Sequence, residues 1–221
     1  EGIADKDTSF EEVATNLPRS LKVLHTGSLA ITPSQLPKIR KLFELMRERD
    51  VTISMDINIR LRASVDTMAY LDGVRSLLPI ADIVKASDED LEPFEFATEA
   101  REAAALAYKE MGSGMLVLTE GKGGALMQTE DGVVEAEAFP TTHVKDTVGA
   151  GDTFHSALLA ALVRGGAIGG DFRNVGSAIL KDAVDFACAA AAINVSRVGC
   201  NPPTKSEVED FMQSTTTVRR T

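Results

Sequence analysis

The sequence predicts an α/β fold in which helices flank a mostly parallel sheet. Two observations support this prediction: short apolar runs alternate with longer segments that have apolar residues at helical spacing, and each run ends in polar residues. In an open sheet of this kind, ligands bind beyond the carboxyl ends of the strands. We expect one domain over residues 1–221, with residues 1–20 as a polar lead-in segment.

Four apolar runs predict the strands, in chain order. The first, Leu21–His25, is expected to be a buried strand, and the others lie at 51–60, 81–87 and 114–120. Polar tails follow all four runs, and parallel strands would bring these tails to one edge of the sheet. The tails are Gly27-Ser28, Asp56–Arg60, Lys85–Asp90 and Thr119–Gly124.

Helical spacing of apolar residues predicts the elements between the strands. The first pattern, within 32–50, places on one face Leu36, Ile39, Leu42, Phe43 and Met46. Further helices are expected at 65–78, about 97–111, near 150–164, at 174–196 and from Thr204 onward. Thr204 would cap the last helix together with Glu207, and the alternation around Asp131-Gly132 predicts a hairpin.

Composition and charge exclude several classes of function. The chain is 44% hydrophobic and 25% charged, as in an ordinary globular protein, and no apolar run is long enough to span a membrane. A formal net charge of −10 disfavours nucleic acid and anionic membrane surfaces as partners. Two cysteines without a CxxC motif fit a reduced, cytoplasmic compartment, and the three histidines have no metal-ligand spacing.

The strongest functional signal is the segment DTVGAGDTF, Asp146–Phe154, at the start of a predicted helix. A glycine-rich turn that leads into a helix exposes unpaired N–H groups, and the helix dipole adds positive potential there. Gly149, Ala150 and Gly151 would hold a phosphoryl group, and Asp152 would accept a proton from the attacking hydroxyl. The residues alone leave a second interpretation open, a tight turn followed by an ordinary first-turn acid.

This segment resembles the C-terminal signature of the ribokinase-like (PfkB) carbohydrate kinases, and four more segments resemble that family in the same order. Met55–Arg60 resembles its D-x-N-x-R element, Val84–Leu91 the segment with its N-x-x-E motif, and Leu118–Leu126 its T-x-G-x-x-G nucleotide loop. Ala191–Thr204 resembles the family's closing segment on the adenine side. The resemblance covers residues 21–211 and implies a ribokinase-like fold.

The resemblance also implies roles for single residues. Asp152 resembles the catalytic base, and the anion hole for the γ-phosphate of ATP is implied at Gly149, Ala150 and Gly151. The residues implied to bind the nucleotide are Thr119, Gly121, Lys122, Gly124 and Cys188. Two of these have alternatives, since Lys122 is otherwise a solvated loop lysine and Cys188 a core residue.

Sugar and metal contacts are implied as well. Asp56, Asn58 and Arg60 are similar to groups near the sugar and the transferred phosphate. The N-x-x-E element reads S-D-E-D in this chain, so Asp90 takes the place of the glutamate. Asp90 is then the implied Mg²⁺-shell residue, acting through water, with Glu89 as its substitute. The implied cofactors are ATP, Mg²⁺ and a monovalent cation such as K⁺.

The resemblance thus implies an ATP-dependent kinase that transfers the γ-phosphate to a sugar hydroxyl, with fructose as the first expected substrate. A 2-keto-3-deoxygluconate kinase is the alternative, since that branch shares D-x-N-x-R. Nothing before Leu21 resembles the family's N-terminal sugar-binding strands and lid. We expect these to be absent, and a nucleotide-binding module without catalysis stays an alternative. We expect sugar and ATP as partners, without nucleic acid or a membrane, a homodimer in the full-length form and a cytoplasmic location.

Overall fold

The computed structural model describes residues 8–141, 143–169 and 175–219, with side chains as far as residue 215. The first seven residues of the lead-in segment and the start of the helix predicted at 174 lie outside these ranges. The helices are α1 (Phe10–Asn16), α2 (Leu36–Glu48), α3 (Thr67–Arg75), α4 (Asp88–Leu91), α5 (Ala100–Met111), α6 (Ala150–Arg164), α7 (Ser177–Val195) and α8 (Lys205–Arg219). The strands are β1 (Val23–Gly27), β2 (Thr52–Asp56), β3 (Ile83–Ser87), β4 (Met115–Thr119), β5 (Ala125–Thr129) and β6 (Gly132–Ala136).

The strands form one sheet in the order β1-β2-β3-β4-β5-β6. β1 runs parallel to β2, and β2 runs parallel to β3 with Ser54 opposite Ile83. β5 and β6 are joined only by Glu130 and Asp131, and a connection this short requires antiparallel strands. The sheet is therefore mixed, which confirms the predicted α/β class and the predicted hairpin.

The contacts between residues divide the chain into two compact units. The first unit holds the described residues up to Leu118 together with 128–130 and 168–169. The second holds the other described residues, from Thr119 onward. The single domain expected from the sequence stays a prediction.

The core of the first unit is built on β2 and α2. All five residues of β2 are buried, and α2 buries Ile39, Leu42, Phe43 and Met46. The spacing of these four residues matches one face of an α-helix, so the amphipathic pattern of the sequence predicted this helix correctly.

β1 differs from the prediction of a buried strand at residues 21–25. The strand lies at Val23–Gly27, its residues are mostly half-buried, and His25 is exposed. β1 is at the end of the strand order, so in the described part of the chain only one of its edges pairs with another strand. An apolar run does not reveal whether its strand is central or terminal in the sheet, and this part of the prediction was wrong.

A capping box lies at the start of both the first and the last helix of the described chain. The predicted lead-in segment contains α1, which apolar periodicity does not reveal. The Ser9 Oγ accepts from the Glu12 N–H at 3.1 Å, and the Glu12 carboxylate accepts from the Ser9 N–H at 2.7 Å. Before α8, the Glu207 carboxylate accepts from the Thr204 N–H at 2.7 Å, which confirms the predicted cap.

The core of the second unit is built on α6 and α7, which pack against each other, and α7 also contacts β6 and α8. α7 is rich in alanine, and it buries residues along most of its length, from Leu180 to Asn194. Although α7 is long and apolar, no helix within the described ranges could cross a membrane.

An ion pair between Asp56 and Lys85 is buried inside the first unit. The two residues are opposite each other on β2 and β3, and each is 4% exposed. The Lys85 Nζ lies 3.1 and 3.2 Å from the two carboxylate oxygens of Asp56. Because both groups have left water, their mutual attraction offsets part of the cost of burying them.

Replacing Lys85 by Met should lower the free energy of unfolding by about 3–5 kcal/mol, because the Asp56 carboxylate then stays buried without its cation. The double variant Asp56→Asn/Lys85→Met should lose less than the sum of the two single variants, since the same interaction is removed only once. Urea unfolding of wild type and the three variants measures these differences.

The control for this comparison is Lys205→Met. Lys205 pairs with Glu209 at 3.4 Å, and both side chains are about half exposed, at 57% and 48%. Removing a surface pair should cost at most about 1 kcal/mol. Equal losses for Lys85→Met and Lys205→Met would contradict the claim that the buried pair depends on its cation more than a surface pair does.

Candidate active site

The glycine turn before α6 has the geometry that an anion site needs. Gly149 has a left-handed backbone conformation (φ 73°, ψ 8°), which glycine adopts without steric cost. Helix α6 begins at the next residue. The first helical hydrogen bond runs from the Thr153 N–H to the Gly149 carbonyl at 2.8 Å. Before it lie the N–H groups of Gly151 and Asp152, which donate to no acceptor in the described part of the chain. Both groups are therefore available to a ligand.

The Asp152 carboxylate belongs to this same first turn of α6. Its side chain is exposed. A carboxylate in the first turn is stabilised by the positive end of the helix dipole. Next to N–H groups that can bind an anion, it is also placed to accept a proton from a hydroxyl that attacks the anion. The predicted base thus lies in the same turn as Gly151 of the predicted anion hole, whereas the Ala150 N–H of that hole donates to the Thr147 carbonyl at 3.2 Å.

Asp146, at the start of the motif, holds the backbone that leads into the turn. Its Oδ1 accepts from the Val148 N–H at 3.0 Å, and its Oδ2 accepts from the Gly199 N–H at 2.9 Å. These two N–H donors lower the pKa of Asp146, because they stabilise the charged carboxylate. Asp146 therefore links the segment before α6 to the loop after α7.

Asn194 forms a second link between the same two segments. It is fully buried near the end of α7. Its Nδ2 donates to the Val148 carbonyl at 3.0 Å, and its Oδ1 accepts from the Asn201 N–H at 3.0 Å. The sequence prediction gave Asn194 no role, although one polar residue inside the apolar run AAAAINV is the signal that points to it.

Cys200 lies directly against Gly149. A Cβ added to Gly149 would lie 2.9 Å from the Cβ of Cys200 and 3.4 Å from its Cα. Real Cβ atoms rarely approach other atoms this closely, so a larger residue would force the loop to move. Both the left-handed backbone and this contact therefore require glycine at position 149.

The predicted nucleotide loop, Thr119–Gly124, begins at the last residue of β4 and belongs to the second unit. A short 3-10 turn covers Gly121–Gly123, and the chain closes on itself through a 2.8 Å bond from the Glu120 N–H to the Gly124 carbonyl. Gly121 has a positive φ of 54° and open space around it. Lys122 is exposed at the tip. The geometry leaves the loop accessible, and its nucleotide contacts stay a prediction.

Cys188 fits the core alternative that its sequence context left open. Its side chain is 7% exposed on the alanine-rich helix α7. Burial raises the pKa of its thiol to about 12, since an apolar environment disfavours the thiolate. Cys188 is thus a neutral buried thiol, and its contact with a nucleotide stays a prediction.

The D-x-N-x-R loop of the first unit is held in place by hydrogen bonds from its backbone N–H groups. The N–H of Ile59 donates to the Asp90 Oδ1 at 2.9 Å, and the N–H of Arg60 donates to the Tyr70 hydroxyl at 3.4 Å. Asn58 has a positive φ of 37°, which asparagine tolerates better than most residues. The side chains of Asn58 and Arg60 stay half-buried and exposed, respectively. The sequence did not reveal Tyr70 as a support of this loop.

Asp90 is part of this support, which bears on its predicted role at a metal. Its carboxylate accepts from the Ile59 N–H, from the Ser87 N–H at 2.8 Å and from the Ser87 hydroxyl at 2.7 Å. Asp90 is only 7% exposed, whereas Glu89 is exposed. Among the described residues, no cluster of three His, Cys, Asp or Glu side chains could hold a metal ion. Direct ligation by Asp90 therefore has little support, and a contact through water stays a prediction.

The predicted site residues thus fall into two groups, one in each unit. The first group lies in the first unit and consists of the D-x-N-x-R residues Asp56, Asn58 and Arg60 together with Asp90, which accepts a hydrogen bond from their loop. Those of the second unit are the turn at Gly149–Asp152, the loop at Thr119–Gly124 and the buried Cys188. Each group has its own supporting hydrogen bonds.

Comparisons with known proteins identify relatives of this chain. The chain is 27% identical to the probable fructokinase-5 of Arabidopsis thaliana, covering 96% of this chain and 64% of that protein. It is 31% identical to fructokinase-2 of Solanum habrochaites, covering 92% of this chain and 61% of that protein. The chain therefore spans less than two thirds of the length of these curated relatives.

The fold is shared with a solved kinase. The fructokinase of Vibrio cholerae O395 superposes with a TM-score of 0.79 at 24% identity, covering 94% of this chain and 65% of that one. This likeness confirms the ribokinase-like fold. The profile of the pfkB family carbohydrate kinases matches residues 2–207. The chain therefore belongs to the pfkB family of carbohydrate kinases.

Proposed function

We propose that this chain carries the nucleotide-binding and catalytic part of an ATP-dependent kinase that phosphorylates fructose. The observation that supports this most is the first turn of α6. It combines two N–H groups, on Gly151 and Asp152, that have no acceptor among the described residues, with the exposed carboxylate of Asp152. Phosphoryl transfer needs an anion site and a proton acceptor at the same place.

The chemistry assigns each group a task. The N–H groups of Gly151 and Asp152 stabilise the negative charge on the γ-phosphoryl oxygens as the bond to ADP breaks. The Asp152 carboxylate accepts the proton of the sugar hydroxyl, whose oxygen forms the new bond to phosphorus. The products are ADP and a sugar phosphate.

The other predicted residues complete the proposal. Thr119, Gly121, Lys122 and Gly124 bind the nucleotide, and Cys188 lies on its adenine side. Asp56, Asn58 and Arg60 face the sugar and the transferred phosphate. A divalent ion, Mg²⁺ in this proposal, neutralises phosphate charge, with exposed Glu89 as the accessible carboxylate and Asp90 acting through water. K⁺ is the proposed monovalent cation.

Fructose is proposed because both curated relatives carry the name fructokinase. The Vibrio cholerae enzyme is described with fructose, ADP and calcium bound. A test is ADP release by the full-length polypeptide with fructose, 2-keto-3-deoxygluconate and ribose in turn. The proposal expects the highest kcat/KM for fructose. A higher value for 2-keto-3-deoxygluconate would assign the protein to that branch of the family.

Replacing Asp152 by Asn should lower kcat by about 10²–10⁴, because the amide cannot accept the proton of the sugar hydroxyl. ATP affinity should change little, since Asn keeps the shape of the turn. Steady-state ADP release and calorimetric ATP titration measure the two quantities. Asp182→Asn, an exposed acid on α7, is the control and should match wild type. Wild-type kcat in Asp152→Asn would remove Asp152 from the mechanism.

Gly149→Ala should weaken ATP binding about tenfold or more. The left-handed backbone conformation costs an L-amino acid about 1–2 kcal/mol. The new Cβ would also clash with Cys200. Gly166→Ala is a matched control, because Gly166 has the same φ of 73° but nothing within 4 Å of an added Cβ. It should lose stability and keep ATP affinity. If both variants bind ATP equally well, the turn is not the phosphate site.

A further inference from the structure

The end of α7 and the loop after it hold the segment before α6 at several points. Two of these are the side-chain links described above, through Asp146 and Asn194. A third is made by the backbone, since the Lys145 N–H donates to the Val195 carbonyl at 2.8 Å. A fourth is the packing of Cys200 on Gly149. All these contacts lie within the second unit.

Asn194 is the one group among these that contacts both segments with its side chain while fully buried. Its amide offers a donor and an acceptor at once, and each is used. Asp would supply only acceptors when ionised, and alanine would supply neither group. Losing the donor would leave the partly buried Val148 carbonyl without this partner, which is costly.

The bond to Val148 also orients the turn itself. The Val148 carbonyl and the Gly149 N–H belong to one planar trans peptide unit, so they point in opposite directions. Fixing the carbonyl on Asn194 therefore fixes the direction of the Gly149 N–H. That N–H lies two residues before the available N–H of Gly151, and it belongs to the same glycine turn.

We propose that Asn194 is a positioning residue that fixes the peptide between Val148 and Gly149 and thereby aims the N–H groups of the turn at the transferred phosphoryl group. The inference rests on the proposed function for its chemical meaning, but its structural content can be measured without catalysis. Asn194 touches no reacting atom, and it acts through the turn. Preorganised donors of this kind lose their effect when they are free to rotate.

The test compares Asn194→Asp with Asn194→Ala. Asp has nearly the size of Asn and keeps the acceptor for the Asn201 N–H, but it loses the donor to Val148. Alanine loses both, without adding a charge. Amide hydrogen exchange by NMR measures the effects of the two Asn194 hydrogen bonds separately. The amides of Val148, Ala150 and Thr153 report on the turn, and the Asn201 amide reports on the loop.

We expect exchange at the three turn amides to become about tenfold faster in both variants, from the loss of the hydrogen bond between Asn194 and Val148. The Asn201 amide should stay protected in Asn194→Asp and become exposed to exchange in Asn194→Ala. Affinity for a non-hydrolysable ATP analogue should fall about tenfold in both variants, and kcat should fall more than KM rises.

Val184→Ala is the control for a purely structural effect. Val184 is fully buried on the same helix, and its truncation lowers stability away from the turn. It should keep the exchange pattern of the turn and the affinity for the analogue. Turn amides that exchange as in wild type in both Asn194 variants would overturn the inference, and so would an equal effect of Val184→Ala. Failure of wild type to bind the analogue would instead refute the proposed function, while the exchange data would still decide the role of Asn194.

Discussion

An anion site at the start of α6 exists only while the first N–H groups of the helix lack protein acceptors and converge on one place. Gly149 meets the first condition, because its left-handed backbone starts the helix without a side chain that could cap it. Asn194 and Asp146 are proposed to meet the second, because Asn194 holds Val148 on the end of α7 and Asp146 ties the same segment to the loop after α7. In the proposed function, the electrostatic stabilisation of a phosphoryl group therefore depends on polar contacts that never touch it.

The first unit uses the same principle at the D-x-N-x-R loop. Two N–H groups of this loop, on Ile59 and Arg60, donate hydrogen bonds to Asp90 and Tyr70, and these bonds fix its backbone. The side chains of Asn58 and Arg60 are thereby carried on a rigid support. The supporting residues Tyr70, Asp90 and Asn194 are buried. The side chains of Arg60 and Asp152, which are proposed to meet the ligands, are exposed.

Local sequence patterns predicted much of this structure. Helical spacing identified α2, and the glycine motif identified the turn before α6, because both features depend on neighbours in the sequence. The terminal position of β1 and the supporting role of Asn194 depend on contacts far along the chain. A single polar residue in an apolar run, such as Asn194 or Lys85, shows that a partner is needed but not which one. Asp90 was expected near a metal. Its bonds to Ser87 form a local capping box, whereas its bond to Ile59 joins residues 31 apart and appears only in three dimensions.

The most direct measurement of the central claim is an amide NMR titration of the full-length protein with Mg²⁺-ADP and then with a non-hydrolysable Mg²⁺-ATP analogue. The analogue differs from ADP by the terminal phosphate, so it isolates the group that the turn before α6 is proposed to bind. The account predicts additional shifts at the N–H groups of Gly151 and Asp152 when the analogue replaces ADP. Equal spectra at these two residues, with the new shifts elsewhere, would contradict it.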